Sequence, residues 1–148
     1  MSNNYTIDQN SISASSLINL NAQYSGTVDA SAVTTITGTA ADITTVYSAS
    51  GISGLGNESV TVTDAVTKEN AGTINGYTTG QVTLTSVADT FVNITAIDAL
   101  TTSEVSMASA DISVSDTASL SNANAINAFT TGTVTLTDVS DTVANLAR

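Results

Sequence analysis

The feature that most constrains the fold of this chain is an internal repeat. Residues 59–96 align without gaps on residues 111–148 at an offset of 52 positions, and 17 of the 38 aligned positions are identical. The identical positions include the runs Thr-Thr-Gly at 78–80 and Val-Thr-Leu-Thr at 82–85 of the first copy. Such self-similarity is typical of proteins in which each unit buries its apolar face against the next unit. We therefore expect a repeat protein.

A shorter period lies within the 52 residues. An aromatic residue or Leu, followed by small residues, recurs before a closing Gly or Ser, and the closing residues are Gly26, Gly51, Gly80, Ser103 and Gly132. Their spacings of 25, 29, 23 and 29 indicate units of about 26 residues. We predict a single repeat domain over residues 1–148, with units at approximately 1–26, 27–51, 52–80, 81–103 and 104–132 and a partial unit at 133–148.

Each unit has the pattern of a strand followed by a helix. A β-branched stretch with alternating apolar and polar residues comes first, as at 60–63, and this period of two is typical of a half-buried strand. Apolar residues three positions apart follow, as in Phe91, Ile94 and Ile97, and they form one helical face. The alternation predicts an α/β solenoid of strand–helix units with parallel β ladders. An all-β parallel solenoid, in which the helical stretches are loops, is the alternative.

An Asp follows the strand pattern in most units: Asp8, Asp64, Asp89, Asp116 and Asp141. Asp is a favoured N-cap residue, because its side chain accepts hydrogen bonds from the first free amides of a helix. We therefore expect these carboxylates to cap the helices that follow them in the chain. The Gly that closes most units predicts a left-handed glycine at the helix C-terminus.

The composition argues against an enzyme. The chain has no His and no Cys, and its 13 acidic residues stand against two basic ones, Lys68 and Arg148, for a net charge of −11. A Ser nucleophile needs a base, and no motif places Lys68 in that role, so we predict no catalytic residues, no cofactor and no metal site. Two cations are too few to hold phosphate backbones, which predicts no nucleic-acid partner. No apolar run approaches the roughly 20 residues of a membrane span, which predicts no membrane insertion.

Three phrases of the sequence resemble a known class of protein. They are Ile-Thr-Gly-Thr-Ala-Ala-Asp-Ile at 36–43, Ser-Gly-Ile-Ser-Gly-Leu-Gly-Asn-Glu at 50–58 and Val-Ser-Asp-Thr-Val-Ala-Asn-Leu at 139–146. They look like the Ser/Thr-rich repeats of very large surface or secreted proteins of marine cyanobacteria and other bacteria, and the resemblance covers nearly the whole chain. It implies a structural or adhesive role at the cell surface or outside the cell, and it brings no catalytic residues. The first four residues lack the basic and apolar regions of a signal peptide, so any export signal is expected elsewhere.

These observations lead us to expect a non-enzymatic, rod-like repeat module that joins copies of itself end to end. Neither terminal unit has the polar outer face of a capping unit, and an uncapped solenoid end exposes core residues and strand edges. The first unit would then stack on the last as an internal unit does. The predicted end-to-end contact residues are Tyr5, Ile7, Val134, Leu136, Val143 and Leu146.

Two other functions remain open. Thr-x-Thr pairs on successive strands resemble the ladders of ice-binding proteins, and they point outward if the neighbouring Val and Leu residues point inward. The predicted ladder residues are Thr61, Thr63, Thr83, Thr85, Ser113, Ser115, Thr135 and Thr137. The third function is adhesion to glycans or surfaces through loops, especially the Gly-rich loop at 51–57. For the recurring aromatic residues Tyr24, Tyr47, Tyr77 and Phe129 we favour a core ladder over a sugar-stacking surface.

Overall fold

The fold is α/β, with parallel sheets and alternating strands and helices. The structure is a computed structural model that describes residues 3–100 and 104–142, so Ser103, Val143 and Leu146 lie outside the described residues. The predictions of alternating strands and helices and of parallel ladders are confirmed. The all-β alternative is wrong, because five stretches with the helical apolar pattern are helices.

The helices all begin with the same local interaction. They are α1 (Ala14–Gln23), α2 (Ala40–Ser48), α3 (Lys68–Asn75), α4 (Phe91–Asp98) and α5 (Leu120–Asn127). The residue before each helix is a Ser or Thr whose hydroxyl accepts a hydrogen bond from the amide of the third helical residue: Ser13, Thr39, Thr67, Thr90 and Ser119. The prediction that Asp caps the helix that follows it is therefore wrong. A hydroxyl holds the N-cap position, as the known N-cap preference also allows.

The strands are short at the start of the chain and, apart from β8, longer from residue 59 onward. They are β1 (Tyr5–Thr6), β2 (Ser11–Ser13), β3 (Val28–Asp29), β4 (Thr35–Gly38), β5 (Ile52–Ser53), β6 (Ser59–Val66), β7 (Val82–Asp89), β8 (Val105–Ser106), β9 (Asp111–Ala118) and β10 (Val134–Val139). A small sheet has the order β1-β3-β5, and a larger one has the order β10-β9-β7-β6-β4-β2 with β8 paired to β7. Every pairing is parallel.

We call each stretch from its first strand to the end of its helix a segment. The first five segments cover residues 5–23, 28–48, 52–75, 82–98 and 105–127, and the sixth is described through β10. Each inner segment pairs with the one before it and the one after it, as when β6 pairs with β4 on one side and with β7 on the other. Strand β7 pairs with two strands of the next segment, its first half with β8 and its second half with β9. Neighbours along the chain are therefore neighbours in space.

The core is built almost entirely from aliphatic side chains. The chain has only six aromatic residues, counted as four Tyr and two Phe, so Ile, Val, Leu and Ala fill the space between strands and helices. Val60 and Val62 on β6 and Leu84 on β7 are fully buried, and so is Ile74 on α3. Alternate strand residues and one helical face thus meet in a single apolar cluster.

The glycines that close the units are not left-handed helix caps. Among the described residues, only Gly54 and Gly56 have a positive φ. Gly80 instead lies against the backbone at Glu58 and Ser59, and Gly132 lies against the backbone at Ala110. A Cβ atom at either glycine would collide with that backbone. At these two positions Gly is therefore required by the close approach of two segments. The prediction of left-handed C-terminal glycines is wrong.

Candidate functional site

Four of the five recurring Asp residues join successive segments. In each case the carboxylate accepts a hydrogen bond from the first amide of the helix in the preceding segment, at 2.8–2.9 Å. The pairs are Asp64 with Ala40, Asp89 with Lys68, Asp116 with Phe91, and Asp141 with Leu120. We call these contacts the Asp joints. The first amides of a helix have no partner within the helix, and a nearby anion also interacts favourably with the helix dipole.

The carboxylate of Asp89 accepts three hydrogen bonds. It accepts from the Lys68 amide at 2.9 Å, from the Thr90 amide at 2.8 Å and from Nδ2 of Asn93 at 2.8 Å. Partial burial acts to raise the pKa of Asp89. The hydrogen bonds and the positive charge of Lys68 outweigh that effect, so the pKa lies below the ordinary value of 3.8.

The Thr-Thr-Gly runs at 78–80 and 130–132 form a second kind of joint. Thr78 Oγ1 donates to the Glu58 carbonyl and Thr130 Oγ1 donates to the Ala110 carbonyl, both at 2.6 Å, and both Thr side chains are buried. The amide of the next residue, Thr79 or Thr131, also donates a hydrogen bond, at 2.9 Å. Its acceptor is the carbonyl two residues before the one that the first Thr bonds. We call these contacts the Thr-Thr-Gly joints. They hold the start of one segment against the segment before it.

Three open grooves lie beside the Asp joints. The largest has a volume of about 730 Å³ and is lined by residues of α3 together with Asp89 and Asn93. The other two, of about 300 and 260 Å³, include Asp64 and Asp141. The grooves recur because the joints recur, and the Asp64 and Asp89 carboxylates in them are bonded to helix amides. In the described part of the chain, no three acidic residues gather into a possible metal site.

The structure divides the predicted ice-binding ladder into two columns. Thr61 pairs with Thr83, and Ser113 pairs with Thr135, but Thr83 pairs onward with Ser106 while Ser113 pairs back with Ala88. The other four residues, Thr63, Thr85, Ser115 and Thr137, lie where the register shifts and have no paired partner. Thr85 Oγ1 donates to the Val62 carbonyl and Thr137 Oγ1 donates to the Val114 carbonyl, at 2.9 and 2.7 Å.

A hydroxyl column that includes Thr61 and Thr83 of the predicted ladder extends over more strands than the ladder does. Parallel pairing aligns one hydroxyl residue from each of five strands, and all five are half-buried: Ser13, Thr37, Thr61, Thr83 and Ser106. The sequence alone did not indicate this column, because its members stand at different distances from the closing residues of their units.

The four predicted end-to-end contact residues that the structure describes lie at the two ends of the strand order. Tyr5 is on β1, the outer strand of the small sheet, and its ring stacks on that of Tyr24 with centroids 4.7 Å apart. Ile7 follows β1 and is buried. Val134 and Leu136 are on β10, the outer strand of the large sheet, and both are half-buried. The Tyr47 and Tyr77 rings also stack, with centroids 5.1 Å apart.

Sequence reasoning missed the buried carboxylate of Glu58. This side chain is fully buried and accepts a hydrogen bond from Tyr47 Oη at 2.7 Å and from the Gly56 amide at 2.9 and 3.0 Å. Burial, the hydrogen bond to Glu58 and the charge of Glu58 raise the pKa of Tyr47 far above its usual value, in that order of size. These bonds tie Gly56 to α2, a contact that no local pattern indicated. The stretch at 51–57 was predicted as a Gly-rich loop, but Ile52–Ser53 forms β5, so only the rest of the stretch is a loop.

Comparison with protein-family models, with curated proteins and with solved structures finds no match to this chain. None of the helices within residues 3–100 and 104–142 is both long and apolar enough to cross a membrane.

Proposed function

We propose that this chain is a non-enzymatic structural repeat module of a cell-surface or extracellular protein. In this proposal its units of about 26 residues form an α/β solenoid over residues 1–148, and the module is a rod that joins copies end to end. The partners are further copies of the same chain. No catalytic residue, cofactor, metal, nucleic acid or membrane insertion is part of the proposal.

The observation that carries the proposal is where the recurring polar residues direct their hydrogen bonds. The Asp and Thr-Thr-Gly residues that are identical in the two aligned copies bond the preceding segment. A binding or catalytic repeat would be expected to present its recurring polar groups to a ligand. Here they are used to hold segment on segment, which supports a mechanical role.

The composition supports a location outside the cell. Ser and Thr together number 47, and only 10% of residues are charged. Hydroxyl groups keep a surface wetted without concentrating charge where many copies lie side by side. The absence of Cys means that no disulfide contributes, so coil-to-coil packing and the joints supply the stability.

Two measurements test this proposal. Immunogold labelling of the producing cells with an antibody against the chain is expected to mark the cell surface or extracellular material, and labelling confined to the cell interior would contradict the location. Electron microscopy of the purified chain in moderate salt is expected to show unbranched fibres whose length increases with protein concentration. Compact single particles at every concentration would contradict the end-to-end part.

The aligned hydroxyl column favours ice binding as a second candidate function. Its members repeat about every 4.8 Å across the parallel strands, a regular spacing that a crystal lattice can match. Thermal hysteresis and faceted ice crystals would support this function, and Thr37→Lys together with Thr61→Lys is then expected to abolish both effects. Round crystals at high protein concentration would exclude it.

A further inference from the structure

We infer that strand β10 receives the first segment of a second copy in one defined register. Tyr5 of the incoming copy pairs with Val134, and Ile12 of the incoming copy pairs with Val139. This inference rests on the end-to-end assembly proposed above and specifies the contact that makes it. The occupant is a second copy of this chain.

Three side chains of β10 are more exposed than the equivalent side chains of β7 in the first copy of the repeat. Val139, Leu136 and Val134 stand 52 positions after residues 87, 84 and 82. Those three earlier residues are all 0% exposed, whereas Val139 is 41% exposed and the other two are half-buried. The internal strand β7 is covered by the segment that follows it. Of the described strands, only β9 pairs with β10.

The register follows from how β7 is covered. Val82 pairs with Val105 at the start of β8, and Ser86 pairs with Asp111 at the start of β9. These two partner strands begin six residues apart, at 105 and 111. Strands β1 and β2 of the first segment also begin six residues apart, at 5 and 11. By this equivalence β1 pairs with the first half of β10 and β2 pairs with the second half.

The residue types also match across the contact. Ile7 and Ile12 stand where the fifth segment has Met107 and Ile112, and all four are buried apolar side chains. Ser11 stands where that segment has Asp111, so Asp138 of β10 would face a hydroxyl rather than a second carboxylate. Like charges directly opposite each other on paired strands are destabilising, and this pairing avoids them. Because β2 and β10 are opposite ends of the large sheet, the contact propagates into a filament.

A register-specific disulfide tests the inference. The chain has no Cys, so Ser11→Cys combined with Asp138→Cys introduces the only two thiols. Paired residues on neighbouring strands lie about 4.8 Å apart, which a disulfide spans, and β2 and β10 are too far apart in one molecule to be joined. Oxidation is expected to give a ladder of disulfide-linked multimers that a reductant collapses. The register control is Ser11→Cys with Ser140→Cys, whose thiols are displaced by two residues and are expected to link poorly.

A surface charge tests the same contact without thiols. Val139→Lys is expected to raise the protein concentration at which fibres appear at least tenfold, because it places a charge in the apolar contact. Val92 is the matched control, because it is also an exposed large apolar residue, at 70%, but lies on α4 away from β10. Val92→Lys is expected to assemble as the unchanged chain does.

The outcomes separate the register from the proposed function. If the unchanged chain forms fibres but both Cys pairs link equally, or if Val139→Lys assembles normally, the register is wrong and end-to-end assembly stands. If the unchanged chain stays monomeric at high concentration in moderate salt, the register and the end-to-end assembly are both wrong. The proposed location at the cell surface is tested separately, by the immunogold labelling.

Discussion

Asp116 binds the helix of the preceding segment, and this link gives it a measurable effect on stability. Its carboxylate accepts from the Phe91 amide at 2.8 Å, while Ser119 caps the helix that follows Asp116 in the chain. We expect Asp116→Ala to lower the free energy of unfolding by about 1 kcal/mol, the usual cost of a lost helix-capping side chain. Urea unfolding followed by circular dichroism measures this. Asp98→Ala is the control, because Asp98 is an exposed residue at the end of α4 and is expected to change the stability little.

Asp89 makes the stability of the folded protein depend on pH. Its pKa in the folded protein lies below the ordinary value of 3.8, so the joint favours the folded state whenever the carboxylate is ionised. This contribution is present in full above the unfolded-state pKa and is lost as the pH falls below 3.8 through the folded-state pKa. Asp89→Asn is therefore expected to lose less stability between pH 5 and pH 3 than the unchanged chain loses. Urea unfolding at both pH values measures the difference, and an equal loss in the two proteins would contradict it.

At the scale of strands and helices, a pair of glycines gives predictions of opposite sign. Gly80 lies against the backbone at Glu58 and Ser59, so Gly80→Ala must push two segments apart. We expect a loss of about 1–3 kcal/mol, the usual cost of overpacking. Gly72 lies inside α3 with nothing within 4 Å of an added Cβ, and Gly72→Ala is expected to stabilise by about 0.5–1 kcal/mol. Thermal unfolding of both variants measures this, and a loss at both positions would contradict the prediction.

The sequence predicts elements better than it predicts the contacts between them. The period of two at 60–63 and the apolar spacing from Phe91 to Ile97 correctly placed a strand and a helix, because these patterns are local. The partner of each recurring Asp could not be read the same way. Asp64 precedes α3 in the chain but bonds α2, since parallel stacking brings the end of β6 beside the start of the earlier helix.

Other features depend on contacts that have no local pattern. The burial of Glu58 follows from the way the Gly-rich loop folds back onto α2, and a single Glu among glycines does not indicate that. The regular hydroxyl column depends on register, and the register shifts within β6 by a residue that no turn motif marks. The ladder residues Thr63 and Thr85 were placed on a flat face because the sequence shows the alternation but not the shift.

At the scale of the whole molecule, apolar edge contacts and net charge act in opposite directions on assembly. The contact at β10 buries apolar side chains, and Val134→Lys together with Leu136→Lys is expected to abolish fibre formation by placing two charges within it. The folded state of the monomer is expected to survive, because both side chains are already half-exposed. Circular dichroism checks the fold and sedimentation velocity checks assembly. Fibres from the doubly substituted chain would contradict the role of β10.

The same balance predicts how assembly responds to salt. Each copy carries a net charge of −11, so two copies approaching end to end repel each other. Salt shortens the range of this repulsion from about 30 Å at 0.01 M to about 8 Å at 0.15 M, while the burial of apolar side chains at β10 is little affected. Fibres are therefore expected at lower protein concentration in 0.15 M than in 0.01 M salt. Light scattering over a salt series measures this. Assembly that weakens with added salt would mean that ion pairs made by the two basic residues hold the copies together. That result would rule out the apolar contact at β10.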